Sequence, residues 1–260
     1  MSQTAACCAD FYEMDWVQDL LGDSLHPGGL DLSRRLWKSL ALPPGARVLD
    51  VACGTGTSAV MVAQEGGARV VAVDFGAKNL ASASARARQA GVASQLEFVE
   101  ASATHMPLAD GLFDAVLCEC AVSTFDDKAA AASEFVRLLK PGGLLGISDM
   151  AVEREIPSDL NRILGPWTCV GDARSVSGYR ELFTAAGLTE MSADDETESL
   201  REMLRDLKRK LVVAGLGGAI IGASGAPASL AEMRDLLKRA RTLVDDGTVG
   251  YWRITFRKSA

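Results

Sequence analysis

The chain has 260 residues, of which 48% are hydrophobic, and a formal net charge of −7 at pH 7. This length and composition are enough for one substantial hydrophobic core, and we predict one domain with helical additions. Nucleic-acid-binding proteins usually present a basic face, and no basic cluster offsets the negative charge here. We therefore expect no nucleic-acid partner.

Two stretches bear on the location of the protein. Residues 1–9 lack the charged and apolar regions of a secretion signal. The longest apolar run, 211–226, has 16 residues and several glycines, which is short of the ~20 residues that a membrane span requires. We therefore predict a cytoplasmic protein without a membrane partner. Six cysteines in such a protein are expected to be reduced thiols rather than a disulfide framework.

The N-terminal region predicts two helices. Apolar residues recur at helical spacing in Phe11–Leu21 and again in Leu30–Leu40. The turn-rich loop between them contains His26, which precedes a proline and is biased towards extended structure. A solvent-exposed loop histidine is one interpretation of this position, and a residue of a ligand pocket is the other.

Residues 47–58 predict a buried strand that runs through a glycine turn into a helix. Gly54 and Gly56 permit positive φ and a close approach of the backbone to a ligand. The helix predicted from about Thr57 to Gln64 would direct free N–H groups and the positive end of its dipole towards a small polar molecule. A glycine turn alone is weak evidence, because many strand-to-helix junctions need glycine for packing.

A second strand, predicted at Arg69–Asp74, ends in an acid 24 positions after Asp50. This spacing suits one βαβ unit, and an acid at that place can accept hydrogen bonds from a ribose diol. Asp74 can equally cap the next helix, and the sequence leaves both interpretations open. The absence of a third glycine at the dinucleotide spacing argues against a nicotinamide or flavin cofactor.

The rest of the chain continues with alternating helical and strand patterns. Helices are predicted at Ala77–Ala90, Lys128–Lys140, Val176–Ala186, Glu198–Ala214 and Ser229–Asp245. Strands are predicted at Leu96–Val99, Phe113–Cys118, Leu144–Ser148, Leu188–Met191 and Gly250–Arg257. Asp149 would then lie at the tip of a strand, facing the ligand side or capping a helix.

Cysteines form the second chemical signal. Cys118 and Cys120 are two positions apart, so an extended chain projects both to one face and Glu119 to the other. Thiols are ligands for soft centres, and a cluster would suit a trivalent arsenical or another thiophilic selenium or sulfur species. The members that such a cluster could draw on are Cys7, Cys8, Cys118, Cys120 and Cys169.

The alternative interpretation is that these cysteines are small buried hydrophobic residues without a chemical role, and we adopt it for Cys53. The chain has no Cys-x-x-Cys motif and only two histidines. We therefore expect no metal site.

Several motifs together resemble the class I S-adenosylmethionine-dependent methyltransferases, in the branch with ubiquinone-type and arsenite-type enzymes. They are Asp50-x-x-x-Gly54-x-Gly56, Asp74, the strand Phe113-Asp114-Ala115-Val116, and Leu139-Lys140-Pro141-Gly142-Gly143. The resemblance covers roughly residues 45 to 150 well. It implies an α/β Rossmann-like fold with a doubly wound, seven-stranded, mostly parallel sheet, and S-adenosyl-L-methionine as cofactor.

The resemblance also implies a division of the chain and a set of cofactor contacts. The expected parts are an N-terminal helical cap at 1–44, a methyltransferase domain at 45–192 with 248–260, and a helical insertion at 193–247. The insertion helices could form a lid or a dimer surface, or simply pack on the sheet. The residues implied in donor binding are Asp50, Ala52, Gly54, Gly56, Asp74, Phe75, Ser102, Ala103 and Cys118.

Within that set, Asp50, Gly54, Gly56 and the Cys118 region would hold the methionine end of the donor, and Asp74 its ribose. The adenine would lie at Ser102–Ala103. The family commonly has an acidic residue where this chain has Ser102, whose hydroxyl can still accept a hydrogen bond but without charge.

The expected reaction is in-line attack of a small-molecule nucleophile on the sulfonium methyl group. An arsenic lone pair or a thiolate needs no strong base, whereas a hydroxyl or an activated carbon does, and the candidates are Glu119, His26 and Tyr12. The alternatives are O- or C-methylation of a quinone-like or natural-product molecule, and an inactive cofactor-binding scaffold. An oxidoreductase that binds a nicotinamide dinucleotide and a homodimer are also left open.

Overall fold

A computed structural model describes residues 26–165, 169–217 and 230–260 of the chain. The predicted helix at Phe11–Leu21 lies outside these residues, as do three predicted site residues, Tyr12, Cys7 and Cys8.

Seven strands and eight α-helices lie in the described part of the chain. The strands are β1 Arg47–Val51, β2 Arg69–Asp74, β3 Leu96–Glu100, β4 Phe113–Glu119, β5 Leu139–Val152, β6 Leu188–Asp195 and β7 Val249–Lys258. The helices are α1 Gly29–Ser39, α2 Thr57–Gly66, α3 Ala77–Gln89, α4 Lys128–Leu138, α5 Ser158–Leu164, α6 Val176–Ala185, α7 Thr197–Gly217 and α8 Leu230–Asp245.

The strands form one sheet in the order β3-β2-β1-β4-β5-β7-β6. Strands β1 to β5 pair in parallel, and β7 runs antiparallel to both of its neighbours. The predicted α/β fold with a mostly parallel, seven-stranded sheet is confirmed. From β1 the chain first builds outward to β3 and then returns to place β4 on the other side of β1. In such sheets a ligand binds beyond the carboxyl ends of the strands at this reversal.

Helices cover both faces of the sheet, which explains why the central strands are apolar throughout. Alternate side chains of β2 enter opposite cores: Val71 and Val73 pack with Phe135 and Phe183 of α4 and α6. Val70 lies in the opposite core, which also contains residues of α1, α2 and α3. The period of two along the strands thus separates two hydrophobic cores around one sheet.

Strand β5 is much longer than predicted. Its antiparallel pairing with β7 continues to Val152, so the strand does not end at Ser148. Asp149 consequently lies inside the strand, with 1% of its surface exposed, and the prediction that it lies at a strand tip is wrong. The capping alternative is supported, because Asp149 accepts hydrogen bonds from the amide and hydroxyl of Ser123 in the short 3-10 helix Val122–Thr124. The end of β5 could not be predicted from nearby residues, because it is set by pairing with β7, which lies about 100 residues downstream.

Helices α7 and α8 pack against each other and against β7. Apolar residues of both helices, including Leu200, Leu243 and Val244, join Tyr251 of β7 in a third hydrophobic cluster. The proposed division into cap, core and insertion stays a prediction. None of the described helices combines the length and the apolarity needed to cross a bilayer.

Candidate active site

The glycine turn after β1 needs its two glycines for different reasons. Gly56 has φ +74°, and a Cβ placed there would lie 2.6 Å from Ala83 Cβ of α3. Gly54 has φ +53°, but a Cβ there would meet no atom within 4 Å. Gly56 is therefore required by helix packing, whereas Gly54 borders open space. Ala52, between β1 and the turn, also has positive φ at +58°.

Asp50 is a buried carboxyl group at the end of β1, with 3% of its surface exposed. The amide of Ala59 donates to it, yet Oδ2 has no hydrogen-bond partner among the described residues. Burial raises the pKa of Asp50 well above its usual value, and the negative charges of Glu119 and Asp74 raise this pKa further. A buried carboxylate oxygen without a hydrogen-bond partner is unfavourable, and a cationic or hydrogen-bond-donating ligand would stabilise it.

Asp74 ties the glycine turn to the start of α3. Its Oδ2 accepts from the amide of Gly54 at 2.9 Å, and its Oδ1 accepts from the amide of Gly76 at 2.8 Å and from Asn79 at 3.3 Å. These contacts support the interpretation that Asp74 caps the start of α3. Each carboxylate oxygen has more than one acceptor site, so the predicted ribose contact also fits. Phe75 follows with 44% of its surface exposed.

Ser102 and Ala103 follow β3 by two and three residues, at the end of the sheet where β1 and β2 also terminate. The Ser102 hydroxyl is exposed and lies 2.9 Å from the Thr104 hydroxyl. It also accepts from the Thr104 amide at 3.3 Å. The adenine contact predicted for these residues stays a prediction.

Two of the three predicted base candidates lie together. His26 Nε2 is 3.7 Å from Glu119 Oε2, and both side chains are largely buried. His26 Nδ1 lies 3.0 Å from the carbonyl oxygen of Pro27, and because a carbonyl only accepts, Nδ1 carries a proton. In the neutral imidazole, Nε2 therefore has the free lone pair and faces Glu119.

Four hydroxyl groups around this pair are absent from the sequence-based predictions. The Ser33 hydroxyl donates to Glu119 Oε2 at 3.0 Å and lies 3.3 Å from His26 Nε2. Ser58 is 3.0 Å from Ser33. Ser148 lies 3.5 Å from the same Glu119 oxygen, and its hydroxyl is 3.2 Å from the Tyr251 hydroxyl. Serines inside a helix or a strand carry no sequence signal of their own, and only the polar break in the apolar face of α1 hinted at Ser33.

Cys120 and Cys169 are brought into contact, with 3.4 Å between their sulfur atoms. Cys120 has φ +52°, and its amide donates to the carbonyl of Ser148 at 2.6 Å, so the chain turns sharply as it leaves β4. The hydrogen bond to Cys169 is the largest cause that raises the pKa of Cys120 well above its usual value, followed by burial. A hydrogen bond from Tyr251 acts in the opposite direction.

Cys118 does not share a face with Cys120, contrary to the prediction. Its side chain is fully buried in the core that contains Phe135, and burial raises its pKa well above the usual value. The alternation argument fails because β4 ends at Glu119 and the positive φ of Cys120 redirects the next side chain. Among the described residues, the predicted thiol cluster is therefore reduced to Cys120 and Cys169, and the Cys118 thiol is removed from it.

Three carboxyl groups thus surround the carboxyl ends of β1, β2 and β4: Asp50, Asp74 and Glu119. Together with the open space at Gly54 and the orphaned Asp50 oxygen, they fit a cationic ligand with a polar tail. The donor implied by the motifs, with its sulfonium and ammonium groups, is such a ligand. In the described part of the chain no three His, Cys, Asp or Glu side chains converge in a way that could hold a metal ion.

Comparison with known proteins gives one family match, to the family described as methyltransferase domain, over residues 49–147. Methyltransferase GfsG of Streptomyces halstedii is 30% identical over 189 residues, covering 72% of this chain and 68% of that protein. Demethylmenaquinone methyltransferase of Beutenbergia cavernae is 32% identical over 205 residues, covering 76% and 75%. Arsenite methyltransferase of Aquipseudomonas alcaligenes is 32% identical over 204 residues, covering 72% and 57%.

Among solved structures, phosphoethanolamine N-methyltransferase 2 of Haemonchus contortus in complex with S-adenosyl-L-methionine superposes with a TM-score of 0.83. The match covers 100% of this chain and 61% of that one, at 18% sequence identity. At this identity the similarity concerns the fold.

Proposed function

The chain belongs to the S-adenosylmethionine-dependent methyltransferases, and from this premise we propose that it methylates a soft, thiophilic small molecule such as a trivalent arsenical. It is an enzyme whose cofactor is S-adenosyl-L-methionine. Relatives named for quinone and arsenite substrates make a small-molecule substrate a reasonable proposal for this chain.

The observation that carries the proposal is the contact between the sulfur atoms of Cys120 and Cys169. Thiol sulfur prefers soft centres to hard ones, and two sulfur atoms side by side can bind one centre together. Arsenous acid would exchange two hydroxyl groups for the two sulfurs, and the thiol protons would leave in two water molecules. Because the protons leave with the hydroxyl groups, the raised pKa of Cys120 does not prevent the exchange.

The donor side of the site would consist of residues already in place. Asp50 would face the cationic end, the open space at Gly54 would admit the amino-acid tail, and Asp74 would accept from the ribose hydroxyls. When bound, S-adenosylmethionine would supply a sulfonium methyl group to an in-line lone pair, and S-adenosylhomocysteine would leave with the electron pair of the broken C–S bond. An arsenic centre held by two sulfurs keeps its lone pair, so the chain need only orient it, which can contribute roughly 7–11 kcal/mol.

A second candidate function, O- or C-methylation of a quinone-like or natural-product molecule, is favoured by the contact between His26 and Glu119. With Nδ1 held by the Pro27 carbonyl, His26 can take a proton from a substrate hydroxyl on Nε2. Glu119, 3.7 Å away, would stabilise the imidazolium that forms. This function does not require the two thiols.

Methyl transfer by variants of the full chain separates the two candidates. The assay supplies S-adenosylmethionine with either arsenite plus a thiol reductant or a hydroxylated quinone, and detects methylated product by mass spectrometry. Under the first candidate, Cys120→Ser abolishes arsenite methylation while calorimetry shows unchanged donor binding. His26→Gln, the control, retains arsenite methylation.

The opposite pattern, in which His26→Gln stops quinone methylation and Cys120→Ser has no effect, supports the second candidate. Donor binding without turnover of either substrate class contradicts both and supports a cofactor-binding scaffold.

A further inference from the structure

The same pair of thiols has a second chemistry that needs neither donor nor substrate. We propose that Cys120 and Cys169 are a redox modification site, which a hydroperoxide closes to a disulfide and a dithiol reductant reopens. Their sulfur atoms are 3.4 Å apart, and a disulfide bond requires about 2.05 Å. Since the two sulfur atoms are already in contact, a small rotation of the two side chains would bring them within bonding distance.

The other described cysteines are placed differently. The Cys53 sulfur lies 3.7 Å from the carbonyl oxygen of its neighbour Gly54, and Cys118 is fully buried in the core. Cys120, like Cys53, is partly exposed, but it also has the Cys169 sulfur 3.4 Å away, so a small oxidant can reach one member of the pair. Cys169 is 4% exposed and lies directly behind it. Oxidation of this pair therefore ends in a disulfide between neighbours.

The reaction balances with one hydroperoxide. A thiolate sulfur attacks the peroxide oxygen, the O–O bond breaks, and a sulfenic acid and an alcohol form. The second thiol then attacks the sulfenic sulfur, the S–S bond forms, and the hydroxyl group leaves as water. The two thiols lose two electrons and two protons in total, and the hydroperoxide gains both. Because thiolate is the reactive form and the pKa of Cys120 is raised, closure is slow at neutral pH and accelerates as pH rises.

The position of the pair defines what closure does. Cys120 follows Glu119 directly at the exit of β4, and Cys169 packs in the cluster that contains Tyr251. A disulfide fixes these two segments to each other and consumes both sulfurs. The proposed donor contacts at Asp50 and Gly54 lie in β1 and in the turn that follows it, so we expect donor binding to persist in the oxidised protein.

The test treats the reduced 260-residue chain with tert-butyl hydroperoxide in native buffer, without donor or substrate. Free thiols are then alkylated under denaturing conditions and the protein is digested. We expect mass spectrometry to find Cys120 cross-linked to Cys169, and dithiothreitol to restore both as alkylated thiols. Cys120→Ser and Cys169→Ser abolish the cross-link, whereas the matched control Cys53→Ser retains it. Calorimetry with S-adenosylmethionine gives the same affinity before and after oxidation.

Two outcomes overturn the proposal. One is full alkylation of Cys120 and Cys169 in the peroxide-treated protein, and the other is a cross-link in which either residue pairs with a different cysteine. The readout is a cross-link measured without substrate, so failure of arsenite methylation leaves this inference standing. Conversely, a missing cross-link leaves the methylation assay unaffected.

Discussion

At the residue scale, we expect the buried Asp50 carboxyl group to control how the cationic donor binds. Because its pKa is raised well above the usual value, acidification protonates it at a higher pH than an exposed aspartate. A cation favours the ionised form, so the affinity for S-adenosylmethionine is expected to fall as pH is lowered. Asp50→Asn removes a charge-assisted contact of about 1.5–3 kcal/mol, which is expected to weaken donor binding by about 10- to 140-fold.

Calorimetric titrations at several pH values check this prediction, and the affinity of Asp50→Asn should vary less with pH than that of the parent. Asp206→Asn, an exposed acid of α7 paired with Arg209, is the control and leaves both quantities unchanged. Equal pH profiles of parent and Asp50→Asn contradict the role of Asp50.

Asp149 makes the stability of the fold depend on pH. It accepts from the amide and hydroxyl of Ser123 and from the amide of Met150, but burial outweighs these bonds and raises its pKa from 3.8 to about 6. A raised folded-state pKa gives a stabilisation that is complete below about pH 4 and is lost as pH rises through 6. The rise corresponds to about 3 kcal/mol.

The asparagine in Asp149→Asn stays neutral at every pH, so this variant does not lose folding stability in this way as pH rises. Its unfolding free energy minus that of the parent is expected to increase by up to about 3 kcal/mol between pH 4 and pH 7. Urea denaturation at intervals of pH measures the difference. A constant difference across this range means that Asp149 ionises normally in the folded protein.

At the element scale, the turn between β1 and α2 contains two glycines that are needed for different physical reasons. Gly56→Ala forces a Cβ to 2.6 Å from Ala83 at a φ of +74°. Positive φ costs alanine about 1–2 kcal/mol, and overpacking adds about 1–3 kcal/mol. Gly54→Ala carries the φ penalty alone, because its Cβ enters open space. We expect Gly56→Ala to destabilise the fold clearly more than Gly54→Ala.

Thermal and urea unfolding rank the two variants, and calorimetry adds the second half of the prediction. We expect Gly54→Ala to stay folded but to bind S-adenosylmethionine more weakly, since its methyl group would enter the open space that we propose for the donor. Normal donor binding by folded Gly54→Ala shows that the donor does not approach this part of the turn.

At the scale of the whole molecule, one glycine sets how closely a helical layer lies on the sheet. Gly146 of β5 faces Leu36 of α1, and a Cβ there would be 2.9 Å from Leu36 Cδ1 and 3.3 Å from Leu117. Leu36 is fully buried, so its side chain cannot turn out to solvent to relieve the contact. Gly146→Ala is therefore expected to destabilise the protein by about 1–3 kcal/mol.

A double-mutant cycle with Leu36→Val tests the cause. If the clash with Leu36 accounts for the loss, the double variant is more stable than the sum of the single effects predicts, by about 0.5–3 kcal/mol. Strict additivity would place the strain elsewhere in the sheet.

Much of the molecule followed from local pattern. The apolar runs and the glycine turn predicted β2 with its observed bounds and α2, α3 and α6 to within two residues, because period and turn chemistry are properties of neighbouring residues. The same pattern placed Asp50 and Asp74 at strand ends. Strand β5 was predicted too short, since its end depends on β7.

The chemistry of the site followed only in part. Residue type alone singled out His26, Glu119, Cys120 and Cys169 as reactive groups. Their hydrogen-bond partners, among them Ser33, were not predicted, because a serine inside a helix or a strand carries little sequence signal of its own. Cys118 and Cys120 were predicted on one face, which is wrong because the positive φ of Cys120 ended the alternation after Glu119.

The sequence by itself determined the order of strands and helices, the glycine turn with its acids, and the family, because each depends on residues close together in the chain. Only the tertiary structure decided which reactive groups meet. His26 and Glu119 are 93 positions apart, and Cys120 and Cys169 are 49 apart. Contacts across such separations depend on how α1 and the segment after α5 pack on the sheet, and that packing is a sum over many residues that no local pattern records.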